Sequence, residues 1–238
     1  MNGLNLTRGQ YIEKLLESYR LVCVLADKND CKVLRLRHKQ LNRDLVLRSF
    51  QKAVTAYEIL CSIRTQNLPE TYDAVTLADG QIVLEEFISG MTVADVMKSG
   101  TYRYRGAKRV LVSVCNALDI LHQNGIVHRD VKPENIIISD DGRVVLIDLN
   151  ISRKVSANTK DTVIMGTVGY ASPEQLGVTG SDARTDIYAM GVLLNVMLTG
   201  KHPSELLARG KSGKIVKKCT DISPDNRYQT AKKLIEAL

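Results

Sequence analysis

The sequence predicts an α+β chain in two parts: a small antiparallel sheet lobe carrying one helix, then a larger, mainly helical lobe. Three observations lead there. Apolar and polar residues alternate with period two through "YRLVCVLADKNDCKVLRLRHKQ" in the first third. In "AKRVLVSVCNALDILHQNG" the apolar residues recur at helical spacing, and "DIYAMGVLLNVML" is apolar nearly all round. A strand that shows one face to a core has the first pattern, a helix on a surface the second, and a helix surrounded by others the third.

The elements follow in chain order. Thr7 followed by Gln10 reads as a capping box, and Ile12, Leu15, Leu16 and Tyr19 continue at helical spacing, so a helix opens the chain. Two strands then flank the turn-prone Lys28-Asn29-Asp30, and "RDLVLRSF" supplies a third. Between Gln51 and Arg64, the spacing of Val54, Tyr57, Leu60 and Ile63 predicts a helix that stops near Asn67 and Pro69. Another strand pair, "YDAVTL" and "QIVLEEFI", is joined by Asp79-Gly80. A hinge near residues 85–90 closes the sheet lobe, residues 1–88. In the helical lobe, residues 89–238, "VADVMKSG" begins a helical stretch. The next helix aligns Val110, Leu111, Val114, Leu118 and Leu121 on one face, with Gly125 placed to terminate it. Neither an internal repeat nor a low-complexity tract is present.

Composition narrows the function classes. A chain of 238 residues is long enough for a full core. The net charge is +7, yet lysine and arginine are spread along the chain with only short pairs such as Lys217-Lys218 and Lys232-Lys233. Cations interleave with aromatic rings only at Tyr102-Arg103-Tyr104-Arg105, which disfavours nucleic acid as a partner. The five cysteines are dispersed and lack CxxC spacing, which speaks against a disulfide framework or a zinc site and fits a reducing cytoplasm. The first residues are charged and interrupted, and no apolar run approaches the length of a membrane span. A soluble, cytoplasmic protein without signal peptide or membrane anchor is the expectation.

The chemistry concentrates in "HRDVKPEN", His128 to Asn135, a loop between the helix that ends at "HQNG" and the hairpin "IIISDDGRVVLIDLN". Together with "IDLN" and "GTVGYASPEQ…DARTDIYAMGVLLNVMLTGKHP", it resembles the catalytic lobe of eukaryotic-like serine/threonine protein kinases of the bacterial type, over residues from about 107 to 238. The resemblance implies a two-lobed protein kinase-like fold with a cleft, ATP and Mg²⁺ (or Mn²⁺) as cofactors, and a protein substrate bearing Ser or Thr, this chain itself among the candidates. Phosphoryl transfer needs oxygen ligands for the metal, a carboxylate to orient the attacking hydroxyl and take its proton, and a cation near the transferring group. The match places Asp130 as that carboxylate, Lys132 as the cation, and Asn135 and Asp148 as metal ligands. Pro133 limits the freedom of the loop. Thr167 matches the threonine that holds the aspartate and lysine near the substrate. Further matches are structural: Glu174 would pair with Arg227 inside the lobe, and Asp186 would bond the backbone of the catalytic loop. Arg129 would receive a phosphate on the following loop, where Ser152, Ser156, Thr159 and Thr162 lie.

The chain also departs from the family. The first hairpin turn, "ADKNDCK", has no glycine, so side chains stand where backbone amides would approach phosphate. Arg48 occupies the place of the usual strand lysine; Glu58 would be its helix partner, a plain surface pair being the alternative. "DLN" replaces Asp-Phe-Gly, with Leu149 as an apolar anchor and Asn150 as a residue that tolerates positive φ. Counting back from Gly90, the backbone of Glu86 and Ile88 would meet adenine; alignment by the apolar run shifts this by one. The segment 201–219 is short where a substrate-docking helix is usual. An active kinase of low turnover is therefore weighed against a pseudokinase that binds nucleotide or scaffolds a partner. A small-molecule phosphotransferase is the third reading, against which the peptide-facing "GTVGYASPEQ" argues. Nothing in the sequence indicates an oligomeric state.

Overall fold

The computed structural model describes residues 6–28, 31–149, 153–154, 167, 169–176 and 180–238. They fall into two compact units, Met1–Thr65 with Pro69–Ile88, and Gln66–Leu68 with Ser89–Leu238. The three residues Gln66–Leu68 join the second unit because Asn67 bonds it twice: its Nδ2 donates to the Val144 carbonyl, and its own carbonyl accepts from the Leu146 N–H.

In the first unit the capping box closes. The Thr7 Oγ1 accepts from the Gln10 N–H at 3.3 Å, and the Gln10 Oε1 accepts from the Thr7 N–H at 2.9 Å. Helix α1 (Arg8–Ser18) follows and lays Tyr11, Ile12 and Leu15 on a core of Leu34, Leu36, Leu45, Leu47, Leu77 and Ile82. That core is one face of an antiparallel five-stranded sheet in the order β1-β2-β3-β5-β4. Its strands are β1 (Tyr19–Lys28), β2 (Cys31–His38), β3 (Asp44–Phe50), β4 (Thr71–Leu77) and β5 (Gly80–Glu86). Asn29 and Asp30 lie outside the described residues.

The helix expected over Gln51–Arg64 is reduced to α2, Ala56–Leu60. Upstream, the Val54 N–H is held by the Gln81 Oε1 of β5 at 2.9 Å, so the chain enters α2 from the sheet. Downstream, the N–H groups of Ser62 and Ile63 reach back only three residues, to Ile59 and Leu60, which tightens the chain into turns. The apolar spacing was real, and Tyr57 and Leu60 are buried; the intrahelical bonds were not available along its whole length.

The second unit is built on helices. α3 (Val93–Met97) is short. α4 (Tyr104–Gln123) buries Val110, Leu111, Val114, Leu118 and Leu121 along one face, and Gly125, at φ 70°, turns the chain away. α5 (Ala183–Thr199) begins with an Asp182–Thr185 capping box, ends at Gly200 in the left-handed region, and is buried around most of its circumference. α6 (Gly210–Cys219) crosses α5 at Gly191, where an added Cβ would stand 2.3 Å from the Cys219 Cβ. α7 (Ala231–Ala237) packs on α4, and the Tyr104 hydroxyl donates to the Leu238 carbonyl. β6 (Gly90–Thr92), β8 (Ile136–Ser139) and β9 (Val144–Leu146) make a small antiparallel sheet, and β7 (Ile126–Val127) pairs with β10 (Arg153–Lys154). The β8–β9 hairpin has the register Ile136↔Leu146, which brings the chain back beside the loop that precedes β8. Among the described residues no helix is long and apolar enough to cross a membrane, and all five cysteines are free thiols.

Candidate active site

The loop His128–Asn135 is fixed from below. Asp186, in the first turn of α5, is fully buried; its Oδ2 accepts from the His128 N–H at 2.9 Å and its Oδ1 from the Arg129 N–H at 2.8 Å. The His122 Nε2, in the last turn of α4, donates to the same carboxylate at 2.7 Å. Burial pushes this carboxyl up, but the His122 and backbone hydrogen bonds outweigh burial and hold it below its ordinary value. The loop backbone is strained to match, since Arg129 has φ 72° without being glycine. His128 is buried and uses both ring nitrogens: Nε2 donates to the Ile147 carbonyl at 3.1 Å, leaving Nδ1 to accept the Asp130 N–H at 3.3 Å.

Above that base the side chains converge. The Asp130 Oδ2 is 2.7 Å from the Lys132 Nζ, and its Oδ1 accepts from the Thr167 hydroxyl at 2.7 Å. Lys132 also donates to the Thr167 Oγ1 at 2.7 Å. The Asn135 Nδ2 donates to the Asp130 carboxylate at 2.9 Å and to its carbonyl at 2.8 Å. Partial burial acts to raise the Asp130 pKa, and the bonds from Lys132, Thr167 and Asn135 more than reverse it, so the carboxyl is held below its ordinary value. Among the described residues nothing donates to the Asn135 Oδ1, because the amide nitrogen takes both bonds to Asp130 and turns the oxygen away.

Asp148 is delivered by the hairpin. The Ile147 N–H bonds the Asn135 carbonyl at 2.8 Å and the Ile147 carbonyl bonds His128, so Asp148 follows a residue tied at both ends to the loop. It has φ 71°. Leu149, the expected apolar anchor, is buried, and the positive φ expected of Asn150 falls outside the described residues. Asn150, Ser152, Ser156, Thr159 and Thr162 lie outside the described residues.

Glu174 and Arg227 are paired as expected. Arg227 Nη1 and Nη2 donate to the two Glu174 oxygens at 2.6 and 2.9 Å, both residues being buried. Gln175, which sequence reasoning passed over, donates to the Arg129 carbonyl at 2.8 Å and so binds this segment to the His128–Asn135 loop. Asn195 was also missed: buried on α5, it holds the Lys201 and Leu206 carbonyls and the Ala208 N–H, each at 2.8 Å. A polar residue in the middle of the otherwise apolar run "AMGVLLNVML" was the available signal.

In the first unit the expected partner of Arg48 has to be corrected. Glu85, not Glu58, is the carboxylate that accepts from the Arg48 Nε. β3 and β5 pair Arg48 with Val83, so Glu85 lies two residues along on the same face, within reach across the ladder. Both residues are buried, at 6% and 4% exposure, whereas Glu58 is solvent-exposed on α2. A glutamate on the inward face of a predicted strand, in "IVLEEF", was the clue. Glu86 ends β5 with its N–H on the Glu70 carbonyl at 2.8 Å, and Ile88 is buried just beyond.

A sequence profile of the protein kinase domain matches residues 23–238. The chain belongs to that family. A protein named "Probable serine/threonine-protein kinase CPE1738" from Clostridium perfringens is 31% identical over 226 residues, covering 84% of this chain and 33% of that protein. The serine/threonine-protein kinase PknB of Mycobacterium tuberculosis is 38% identical over 126 residues, 51% of this chain and 20% of its own length. The kinase domain described here thus spans about a third or less of the curated relatives it matches. These resemblances are to serine/threonine kinases of bacteria, and the family uses nucleotide and divalent cation in general terms.

Proposed function

We propose that this kinase domain transfers the γ-phosphoryl group of ATP to serine or threonine hydroxyls of a protein substrate, in the cytoplasm. The observation that carries the reading is the Asp130 carboxylate held at once by Lys132, Thr167 and Asn135. A carboxylate kept below its ordinary pKa is ionised at neutral pH and offers an oxygen to the incoming hydroxyl. The substrate oxygen forms its bond to the γ-phosphorus, the bond from phosphorus to the β–γ bridging oxygen breaks, and the hydroxyl proton passes to Asp130. Lys132 would offset charge on the transferring group, and Thr167, bonded to both, would fix Asp130 and Lys132 relative to each other.

Asn135 and Asp148 suit a magnesium ion: one amide oxygen turned outward and one carboxylate, both hard donors, with the remaining positions left for water and phosphate oxygens. When bound, that ion neutralises charge on the phosphates. Among the described residues no cluster of three or more His, Cys, Asp or Glu offers a richer cage, which fits a metal that arrives with its nucleotide. Arg48 would supply a guanidinium toward phosphate and the backbone at Glu86 and Ile88 would meet adenine. With Arg48 already engaged by Glu85 and no glycine in the first hairpin turn, turnover at or below about 1 s⁻¹, the lower end for kinases, is expected.

The test is transfer of radiolabelled γ-phosphate to the chain itself or to a generic basic protein, comparing wild type with Asp130→Asn. The substitution keeps the shape and removes the charge, and the signal should vanish. Equal labelling of the two would exclude catalysis at this site and leave the pseudokinase reading, which a melting-temperature rise with Mg-ATP would then support.

A further inference from the structure

Helix α6 carries Lys211, Lys214, Lys217 and Lys218, all solvent-exposed, and no acidic residue. The spacing of Lys211, Lys214 and Lys218 puts them on one stripe, opposite the buried Gly213, Ile215, Val216 and Cys219. This arrangement costs the fold something. Lys211 sits in the first turn and Arg209 precedes it, at the positive end of the helix dipole, and lysines three and four residues apart repel. Lys108 stands alone on α4 among the described residues, but elsewhere in the unit four exposed lysines find carboxylates: Lys98 with Asp95, Lys201 with Glu205, Lys232 with Asp119 and Lys233 with Glu236. Among the described residues none of the four α6 lysines does; Lys218 lies over the Tyr228 ring, 4.7 Å from its centre. The neighbouring acids are already engaged, Glu205 by Lys201, Asp225 by Arg184, and Asp221 by the Ser223 N–H and Asn226.

The stripe starts beside a groove of about 500 Å³ lined by Leu198, Leu206, Leu207 and Ala208, with Arg209 and Ser212 of the α6 end on its wall. Leu206 is exposed, so the groove presents apolar surface at the head of a row of uncompensated cations. We propose that the groove and the α6 stripe together dock a segment of a partner polypeptide in which apolar side chains are followed by a run of carboxylates. The apolar residues fill the groove, and the carboxylates pair with Lys211, Lys214 and Lys218. A phosphodiester chain would put no apolar side chain against Leu198, Leu206, Leu207 and Ala208; of the rings at hand, Tyr228 is covered by Lys218, and Tyr104 in the groove lining is half-buried with its hydroxyl tied to the Leu238 carbonyl. A membrane-surface helix needs an exposed apolar face, but the apolar residues of α6 point inward. This docking goes beyond the phosphoryl-transfer reading and does not depend on it.

The experiment measures fluorescence anisotropy of a labelled peptide, Leu-Leu-Gly-Glu-Glu-Glu-Glu-Glu, on the whole chain. The wild type and Asp130→Asn should bind it alike, more weakly as salt is raised. K211E/K214E/K218E should bind at least about tenfold more weakly with an unchanged melting temperature. The milder K211Q/K214Q/K218Q should fall between and guards against a folding defect. Leu206→Ser should weaken binding without altering its salt dependence. Equal affinity of wild type and both lysine variants would overturn the proposal. So would tighter binding of an oligothymidylate of the same charge, or of phosphatidylserine vesicles, than of the peptide. Absence of phosphate transfer by the wild type, with peptide binding intact, would count against the catalytic reading alone.

Discussion

At the scale of single residues, the Arg48–Glu85 pair sets a limit on what Arg48 can do. A guanidinium that is almost wholly buried is stabilised by the carboxylate beside it, and each charge of the Arg48–Glu85 pair offsets part of the desolvation of the other. Glu85→Gln removes the carboxylate charge beside the buried Arg48, so a loss of up to about 3–5 kcal/mol in urea-unfolding stability is expected. Glu58→Gln, on the exposed surface of α2, should change stability by less than about 0.5 kcal/mol. The reverse order would restore Glu58 as the partner of Arg48. Glu58 was expected because the family resemblance puts the partner of this position on the following helix. What aims a side chain at Arg48 is the sheet register.

At the scale of elements, α5 and α6 show why helix propensity is a poor guide once helices touch. Replacing glycine by alanine inside a helix ordinarily gains about 1 kcal/mol. Gly191 is where α6 comes closest, and a methyl group there would meet the Cys219 Cβ at 2.3 Å and the Thr220 Cγ2 at 3.1 Å. Gly191→Ala should therefore destabilise the chain, by about 1–3 kcal/mol, as overpacked cores do. Cys219→Gly in the same chain removes the obstructing atom and should recover part of the loss. Thermal or urea unfolding of the single and double variants decides it; a stabilised Gly191→Ala chain would mean that the helices are further apart than described. In the sequence this contact was invisible: "AMGVLL" reads as a buried helix whichever neighbour its glycine meets.

At the scale of the whole molecule, much was legible because local signals and tertiary needs agreed. Thr7 with Gln10 capped α1, Gly125 ended α4, and the alternation from Tyr19 to Phe50 became three paired strands. Within the candidate site, Asp130, Lys132, Asn135 and Thr167 could be grouped in advance because three of them share one short loop. What stayed hidden depends on side chains far apart in sequence: Glu85 across a ladder, Gln175 on the Arg129 carbonyl, Asn195 gathering the 201–208 loop. Asp186 ties three parts of the second unit together, since its carboxylate joins α5 to the end of α4 and to the backbone of the His128–Asn135 loop. Asp186→Asn replaces an oxygen acceptor by an amide nitrogen that cannot accept, leaving a buried donor unsatisfied. A loss of about 1–3 kcal/mol at neutral pH is expected. The pH dependence gives this an internal check. The folded carboxyl is held below its ordinary value of 3.8, so the folded state binds that proton less readily than the unfolded chain does. The stabilisation from Asp186 is then complete above pH 3.8 and fades as acid is added below it. The variant has no carboxyl to protonate, so the stability gap between it and the wild type should narrow as the pH is lowered through and below that value. A gap that stayed constant under acid would show that Asp186 holds the loop by shape rather than by its charge.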